Sequence, residues 1–222
     1  MNILAFDCSQ FETSIALMVD DKIVHLSHIQ DLYSQDALLI PTLGEIMAQH
    51  GLTFQQLDLI ATTSGPGSFT GIRLGIATAV GLSLASDIPA VAFNVLDWYA
   101  HSFATQDPCE TDICVLLESK RADLYTQLYD CHGQPLEEPT CLEWDTLEDH
   151  FQKPTTILGT GLKNHNIEER HKSSQHVYAA DFTVTAADLC LYAKAQIARF
   201  GPEAFPCEPF YLTNPHITLA KR

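Results

Sequence analysis

The stretch Ser64-Gly65-Pro66-Gly67-Ser68-Phe69-Thr70-Gly71-Ile72-Arg73-Leu74-Gly75 decides how this chain of 222 residues folds. It follows the apolar run Leu59-Ile60-Ala61 and leads into a further apolar segment, residues 76–85. An apolar run, then a turn rich in glycine, proline and hydroxyl groups, then a longer apolar segment predicts a buried strand, a tight turn and a helix. We therefore start from a strand-turn-helix unit and work outward.

The turn in this stretch has the composition of an anion site. Gly65 and Gly67 permit close approach of the backbone, and Ser68 or Thr70 can cap the first turn of the helix. A helix N-terminus preceded by glycines presents free amide groups, so a phosphate could bind there. The stretch lacks the Gly-Lys-Ser/Thr ending of a P-loop and the dinucleotide fingerprint. The alternative, that the glycines only let the turn pack against the sheet, stays open.

Small residues recur along the predicted helix at every fourth position. Gly71, Gly75, Ala79 and Ser83 therefore form one narrow seam on its surface. Glycine inside a helix costs about 1 kcal/mol relative to alanine, so the seam needs a compensating contact. The pattern predicts close packing against a neighbouring helix, either in this chain or in a partner.

Composition limits the possible partners and locations. The chain has 12 basic and 28 acidic residues, a net charge of −16, which argues against direct binding of nucleic acid through a broad basic face. Seven cysteines at irregular spacings without a CxxC motif are typical of reduced thiols in the cytosol. The N-terminus lacks a signal-peptide pattern, and residues 72–85 are too short to span a bilayer. We expect a soluble cytoplasmic protein without a membrane role.

The first hundred residues alternate between strand and helix patterns. Residues 3–6, 14–19 and 22–29 predict three antiparallel strands, with Asp20-Asp21 as a hairpin turn. Residues 35–50 have the periodicity of a helix, with Pro41 either at its start or at a bend. Three strands, then helix, strand, helix, strand and helix match the ribonuclease-H-like unit that is repeated in actin-like folds.

The second half begins a new series of strands. We place the boundary at Gln106-Asp107-Pro108, which gives an N-terminal lobe, 1–106, and a partly degenerate C-terminal lobe, 107–222. Asp7 and Ser9 follow the first strand, where actin-like ATPases contact phosphate and metal. An aspartate at a strand end is also a common turn or cap residue, so this role stays open.

The sequence does not assemble a catalytic centre. No His-x-x-x-His lies on a predicted helix, and no cysteine and histidine cluster has zinc spacing, so we predict no metal site. The Gly-x-Ser-x-Gly pattern of serine hydrolases is absent. Cys8 has no identifiable activating neighbour and is read as a buried thiol.

Three segments together resemble the bacterial TsaB (YeaZ) family. They are Ile3-Leu4-Ala5-Phe6-Asp7-Cys8-Ser9, the stretch from Ser64 to Gly75, and Pro209-Phe210-Tyr211-Leu212. The family has a first-strand Asp-Thr-Ser, a Gly-Pro-Gly-Ser-Phe-Thr-Gly-x-Arg-x-Gly segment and a late Tyr-Leu-Arg in the same order. This sequence departs from the pattern at Thr213, in place of the arginine, and at Glu118-Ser119-Lys120, in place of Asp-Ala-Arg.

The resemblance implies an α/β protein with the actin-like (ASKHA) fold of two ribonuclease-H-like lobes. TsaB proteins are non-catalytic partners of TsaD, with the ATPase TsaE, in forming N6-threonylcarbamoyladenosine at A37 of tRNAs that read ANN codons. The implied partners are thus TsaD, TsaE and, for the isolated chain, a second copy. The resemblance implies no cofactor of its own, although ATP or ADP could bind at or near a partner interface.

The resemblance also implies a partner interface on the helices before and after the glycine-rich turn. The residues assigned to it are Leu39, Leu43, Ile46, Gly71, Arg73, Gly75 and Ala79. The alternative function is a small actin-like enzyme that binds ATP through Asp7, Ser9, Gly67, Ser68 and Thr70. That enzyme would need magnesium, a second phosphate loop and a catalytic carboxylate.

Overall fold

A computed structural model of the chain describes residues 1–30, 35–119, 123–151, 153–162 and 175–213. It contains two five-stranded sheets with helices packed on them. The strands of the first sheet are β1 (Ile3–Asp7), β2 (Thr13–Val19), β3 (Lys22–Ile29), β4 (Leu59–Gly65) and β5 (Ala90–Asn94). Those of the second are β6 (Asp112–Glu118), β7 (Asp123–Tyr129), β8 (Thr140–Glu143), β9 (Thr155–Leu158) and β10 (Val177–Ala179). The helices are α1 (Gln35–Gln49), α2 (Phe69–Ser86), α3 (Val95–Gln106), α4 (Leu147–His150) and α5 (Ala186–Phe200).

The first sheet has the strand order β3-β2-β1-β4-β5 and the second β10-β9-β6-β7-β8. The predicted hairpin is confirmed, because β2 pairs antiparallel with β3 and both turn residues have positive φ, 49° at Asp20 and 65° at Asp21. This conformation matches the right-handed twist of the flanking strands. β1 and β4 are parallel neighbours, so their carboxyl ends lie side by side at the same end of the strands. Asp7 and the glycine-rich turn lie at these carboxyl ends.

Each face of the first sheet is covered by a pair of helices. The first apolar cluster joins β1 and β2 to α1 and α2 through side chains such as Leu4, Leu17 and Leu43. The second joins both sheets to α3 and α5, which lie between them. The sequence boundary after Gln106 separates the strands of the two sheets, while α5 from the C-terminal half packs on β1 and β2. The division into lobes at that residue stays a prediction.

Helix α1 starts at Gln35 and continues through Pro41 to Gln49, so the helix does not begin at the proline. The expectation that the apolar segment of residues 72–85 is too short to span a bilayer is wrong by length, because α2 extends beyond that segment to Phe69–Ser86. Among the described residues, it is the one helix long and apolar enough to cross a membrane by length and composition. Its buried positions pack on the sheet, which makes it a packing helix of the fold. The cytoplasmic location stays a prediction.

The small seam of α2 packs on the chain's own sheet, which corrects the prediction of a neighbouring helix. A Cβ atom at Gly71 would overlap the backbone carbonyl of Cys8. A Cβ atom at Gly75 would lie 2.9 Å from Oγ1 of Thr62, closer than packed atoms approach. The small residues at every fourth position let the helix axis come close to the end of β1 and to the middle of β4. The compensating contact for the glycines is therefore internal.

The residues assigned to a partner interface also need correction, because most of them lie inside the chain. Leu39, Leu43 and Ile46 of α1 are at most 3% exposed and belong to the cluster under the helix. Gly71, Gly75 and Ala79 of α2 are buried as well. Of the seven, Arg73 is exposed. Helical periodicity identified a common face correctly, but that face contacts the sheet.

Candidate functional site

The glycine-rich turn and the end of β1 form one connected structure. The backbone N–H of Ser68 donates to the carbonyl oxygen of Ser9 at 2.8 Å. Gly67 lies directly against the same carbonyl, where a Cβ atom would overlap it. The Ser68 hydroxyl caps α2 by accepting from the N–H of Gly71 at 3.4 Å. The structure therefore brings together Asp7, Ser9, Gly67 and Ser68, four of the five residues named for the alternative ATP-binding enzyme, while the fifth, Thr70, is exposed.

Asp7 is 3% exposed and its carboxylate is held from within the chain. Oδ1 accepts from the backbone N–H of Ser9 at 2.8 Å, the Ser9 hydroxyl at 2.6 Å and the Thr63 hydroxyl at 2.6 Å. Burial raises the pKa of Asp7, and the hydrogen bonds from Ser9 and Thr63 oppose that shift. The same burial, with the Asp7 charge beside it, raises the pKa of the Cys8 thiol to about 12. Cys8 is thus a protonated packing residue near neutral pH.

Two of the amide groups at the start of α2 are used inside the chain. The N–H of Ser68 donates to the carbonyl of Ser9, and that of Gly71 donates to the Ser68 hydroxyl. A helix N-terminus binds an anion through free N–H groups, so these internal bonds reduce its capacity for phosphate. The observed contacts support the alternative that the glycines let the turn pack against the sheet.

The C-terminal segment lies across the glycine-rich turn. The N–H of Phe210 donates to the carbonyl of Ser64 at 2.7 Å, and the Phe210 carbonyl lies against Gly65. Tyr211 stacks on Phe69 with ring centroids 4.7 Å apart and an interplanar angle of 23°. Its hydroxyl also accepts a hydrogen bond from Nε of Arg73 at 2.9 Å. These contacts attach the end of the chain to the first turn of α2.

A small cavity remains between the turn and the C-terminal segment. Its volume is about 10 Å³, which is enough for one water molecule. Thr213, which replaces the family's arginine, lines this cavity, and its hydroxyl lies 3.4 Å from that of Tyr125. The other departure from the family pattern ends in Lys120, which lies outside the described residues.

Four exposed apolar side chains lie on the outer sides of α1 and α2. We call this side of the two helices the outer helix face and define it by Leu38, Ile40, Val80 and Leu84. The exposed fractions rise to 57% at Ile40 and 81% at Leu84. Because both helices cover the same face of the first sheet, these side chains point away from it.

Two glycines within these helices have no internal explanation. A Cβ atom at Gly44 of α1 or at Gly81 of α2 would meet no atom within 4 Å. Each glycine costs its helix about 0.5–1 kcal/mol relative to alanine. Unlike Gly71 and Gly75, they make no close contact inside the chain that would offset this cost.

The comparisons with known proteins agree with this architecture. The model of the family described as TsaD, tRNA N6-adenosine threonylcarbamoyltransferase, matches residues 35–201. The chain belongs to the TsaD family. It is 27% identical over 179 residues to the tRNA threonylcarbamoyladenosine biosynthesis protein TsaB of Bacillus subtilis, which covers 76% of each protein. The resemblance to TsaB (YeaZ) proteins that the sequence motifs indicate is confirmed.

Two further comparisons, one with a sequence and one with a solved structure, extend this likeness. It is 28% identical over 179 residues to a tRNA N6-adenosine threonylcarbamoyltransferase of Erythrobacter litoralis, covering 72% of this chain and 51% of that relative. The chain thus matches about half the length of that transferase. The structure of YeaZ from Pseudomonas aeruginosa superimposes with a TM-score of 0.76 at 23% identity, covering 95% of this chain and 99% of that one. The predicted actin-like fold of two lobes is confirmed.

Sequence reasoning missed some residues of the site. Thr63, which donates to Asp7, is one of two threonines that follow the apolar residues Leu59-Ile60-Ala61 in β4, and that change of polarity is a signal that the sequence offers. The contact of Arg73 with Tyr211 joins residues 138 positions apart and has no local signal. No group of three or more His, Cys, Asp and Glu side chains suited to a metal ion occurs within the described ranges. The absence of a metal site stays a prediction.

Proposed function

We propose that this chain is a non-catalytic subunit in the formation of N6-threonylcarbamoyladenosine in tRNA, and that it acts by binding a TsaD transferase through the outer helix face. In this proposal TsaE is the third component, the tRNAs are those that read ANN codons, and the reaction takes place in the cytoplasm. The names of the TsaB relatives support the pathway. The role as a binding subunit rests on features of the chain itself.

The observation that carries the proposal is Leu84, which is 81% exposed in the last turn of α2. Gly81 lies one helical turn before it, with open space where its Cβ atom would be. Single exposed leucines are common, but several exposed apolar side chains on two helices that cover the same face of a sheet indicate a protein partner. Glycine beside them allows another backbone to come close. The surface therefore has both the driving force and the shape for helix packing.

The isolated chain would use the same surface to form a homodimer. A TsaD subunit related to this chain by the same fold would present a comparable pair of helices and replace the second copy. Whether the chain binds a second copy or TsaD then depends on the relative affinities of these two partners for the outer helix face. The homodimer is the resting form of the subunit in this scheme.

The absence of catalysis is supported by the state of the candidate phosphate site. Three hydrogen bonds from within the chain converge on one oxygen of Asp7, and the carboxylate is buried. The C-terminal segment lies over the turn and leaves room for about one water molecule. A nucleotide phosphate would have to displace Tyr211 and its stacking on Phe69. We propose that ATP or ADP, if it acts in the complex, is bound by TsaD near the interface.

The negative net charge of the chain supports the proposal that tRNA is bound by the partner subunit. A net charge of −16 opposes contact with a phosphate backbone unless basic residues are clustered. We propose no direct contact between this chain and the tRNA. The basic surface would be supplied by TsaD.

The test is light scattering coupled to size-exclusion chromatography of the chain alone and mixed with its cognate TsaD. We expect a homodimer that is converted into a heterodimer. Leu84→Asp should abolish both species, whereas Leu191→Asp, which changes an equally apolar exposed residue on α5, should leave both intact. A wild-type monomer that does not bind TsaD would reject the proposal.

The alternative of an ATP-binding enzyme has its own test. Calorimetric titration of the isolated chain with ATP and magnesium should show no binding. Saturable binding that is lost in Ser68→Ala would favour the enzyme instead.

A further inference from the structure

A cavity of about 340 Å³ lies between α3, α5 and the turn that follows β7. Its volume is within the range of small-molecule sites, which is roughly 300–1,000 Å³. The wall formed by α5 carries Tyr192, Gln196, Arg199 and Phe200, which share one side of the helix. The cavity shares no residue with the glycine-rich turn or with the outer helix face.

The turn that forms one wall of this cavity is fixed by its own hydrogen bonds. The carboxylate of Asp130 accepts from the backbone N–H groups of His132 at 2.9 Å and Gln134 at 2.8 Å. Gly133 packs against α3, where a Cβ atom would lie 3.1 Å from the Cα atom of His101. A wall held in this way is formed before any ligand arrives, which reduces the entropy cost of binding.

Phe205 closes another side of the cavity. Its ring packs on Phe93 with centroids 4.7 Å apart and lies 6.3 Å from the ring of Phe200. The ring of Tyr192 lies 5.1 Å from Phe93 and 4.9 Å from His101. Much of the lining is therefore aromatic, and several of these rings hold one another in position.

Asp97 lines the cavity at the point where it meets a buried polar network. The Tyr129 hydroxyl lies 2.8 Å from Oδ1 of Asp97 and 2.7 Å from Oε1 of Gln127. The Gln127 amide is oriented by its NH₂ group, which donates to the carbonyl of Glu137 at 2.8 Å. Both neighbours of the hydroxyl are thus acceptors, but the hydroxyl has one proton. A second proton on Asp97 satisfies all three groups.

This proton count agrees with the electrostatics of the cavity. Burial raises the pKa of Asp97, and the hydrogen bond with Tyr129 opposes that shift. Burial lowers the pKa of His101, so the imidazole is neutral near pH 7. Tyr129 and Tyr192, the other titratable groups that face Asp97, also have raised pKa values and stay protonated. Before a ligand binds, Arg199 is the one fixed cation among the described residues that line this cavity.

Arg199 is available to a ligand. Its guanidinium lies over the ring of the adjacent Phe200 at 4.6 Å from the centroid. Within the described part of the chain it forms no ion pair. An arginine placed over an aromatic ring in a cavity is well suited to a carboxylate.

We propose that this cavity binds a small zwitterion, whose ammonium group lies against Asp97 and the aromatic rings and whose carboxylate lies against Arg199. An ammonium group is attracted by the faces of aromatic rings and by a carboxylate. A simple amine would leave Arg199 without a counter-charge and be repelled by it, and a simple anion would pair with Arg199 but make no contact between an ammonium group and Asp97 or the aromatic rings. Binding ionises Asp97, whose proton goes to solvent, and the Tyr129 proton then points to Asp97.

The test uses isothermal titration calorimetry of the full chain with three zwitterions: glycine, γ-aminobutyrate and L-phenylalanine. Butylamine and butyrate, which each carry one of the two charges of γ-aminobutyrate, are the matched controls. We expect at least one zwitterion to bind with a dissociation constant of about 1 mM or tighter. For γ-aminobutyrate, each single-charge control should bind at least tenfold more weakly. Binding should also release a proton, detected as a dependence of the measured heat on the ionisation enthalpy of the buffer.

Two variants separate the proposed contacts from general effects on the fold. Arg199→Gln should weaken binding at least tenfold without changing the thermal unfolding midpoint, whereas Lys22→Gln, an exposed cation on β3, should have no effect. Asp97→Asn should abolish the release of the proton. The proposal is overturned if none of the zwitterions binds, if the single-charge controls bind equally well, or if Arg199→Gln binds like the wild type.

Discussion

Replacement of Leu84 by alanine isolates the contribution of the outer helix face to partner binding. The side chain is 81% exposed, so most of its apolar surface remains to be buried. Full burial of a leucine side chain contributes about 1.5–3 kcal/mol, of which 81% is about 1.2–2.4 kcal/mol. At about 1.4 kcal/mol per tenfold change, this corresponds to a loss of roughly 7- to 50-fold in affinity. The alanine methyl group retains part of the contact, so we expect about tenfold.

The measurement is a titration of TsaD with the wild type and with Leu84→Ala, followed by light scattering or calorimetry. The free energy of unfolding of the variant monomer should stay within about 0.5 kcal/mol of the wild type, because an exposed position contributes little to the fold. Leu191→Ala on α5 is the matched control and should bind TsaD normally. A change of less than twofold for Leu84→Ala, or an equal loss for Leu191→Ala, would refute the assignment of this surface.

Three further substitutions test separate parts of the structure. Gly81→Ala should raise the free energy of unfolding of the monomer, measured by urea titration, by about 0.5–1 kcal/mol, because its Cβ atom has open space inside the chain. The same Cβ atom should weaken dimerisation by occupying the outer helix face. A more stable monomer with unchanged dimerisation would contradict this. Gly75→Leu should lower the thermal unfolding midpoint, because even its Cβ atom would lie 2.9 Å from Oγ1 of Thr62. A normal midpoint together with loss of dimerisation would instead support the assignment of Gly75 to the partner interface. Asp7→Asn should be at least as stable as the wild type near neutral pH. The pKa of Asp7 in the folded state is raised above 3.8, so the stability of the wild type falls as the pH rises from that value through the folded pKa. The advantage of Asn should therefore vanish in acid. An equal pH dependence of stability in the variant and the wild type would contradict this.

The sequence was sufficient for the parts of the fold that local patterns determine. The order of apolar run, glycine-rich turn and apolar helix gave β4 and α2, and Asp20-Asp21 gave the hairpin between β2 and β3. Periodicity also showed correctly which residues of α2 share a side. It could not show what that side contacts, because a seam of small residues fits a strand end in the same chain as well as a partner helix.

Long-range contacts account for the remaining differences. Tyr211 meets Arg73, and Tyr129 meets Asp97, across 138 and 32 positions, and such pairings depend on the arrangement of whole sheets. Gly81 was not singled out from the sequence because it lies outside the four-residue repeat. The structure shows open space beside Gly81, and the sequence alone does not reveal this space.

The position of α5 between the sheets affects how the chain folds during synthesis. The strands of the first sheet are complete at Asn94, but the helix that covers one face of β1 and β2 begins at Ala186. A ribosome adds about 5–20 residues per second, so that face remains without α5 for roughly 5 to 18 s. During this interval the nascent chain exposes apolar strands to other proteins, and slow codons between these points would lengthen the exposure. Chaperone demand in the cell should therefore follow the translation rate of the middle of the message.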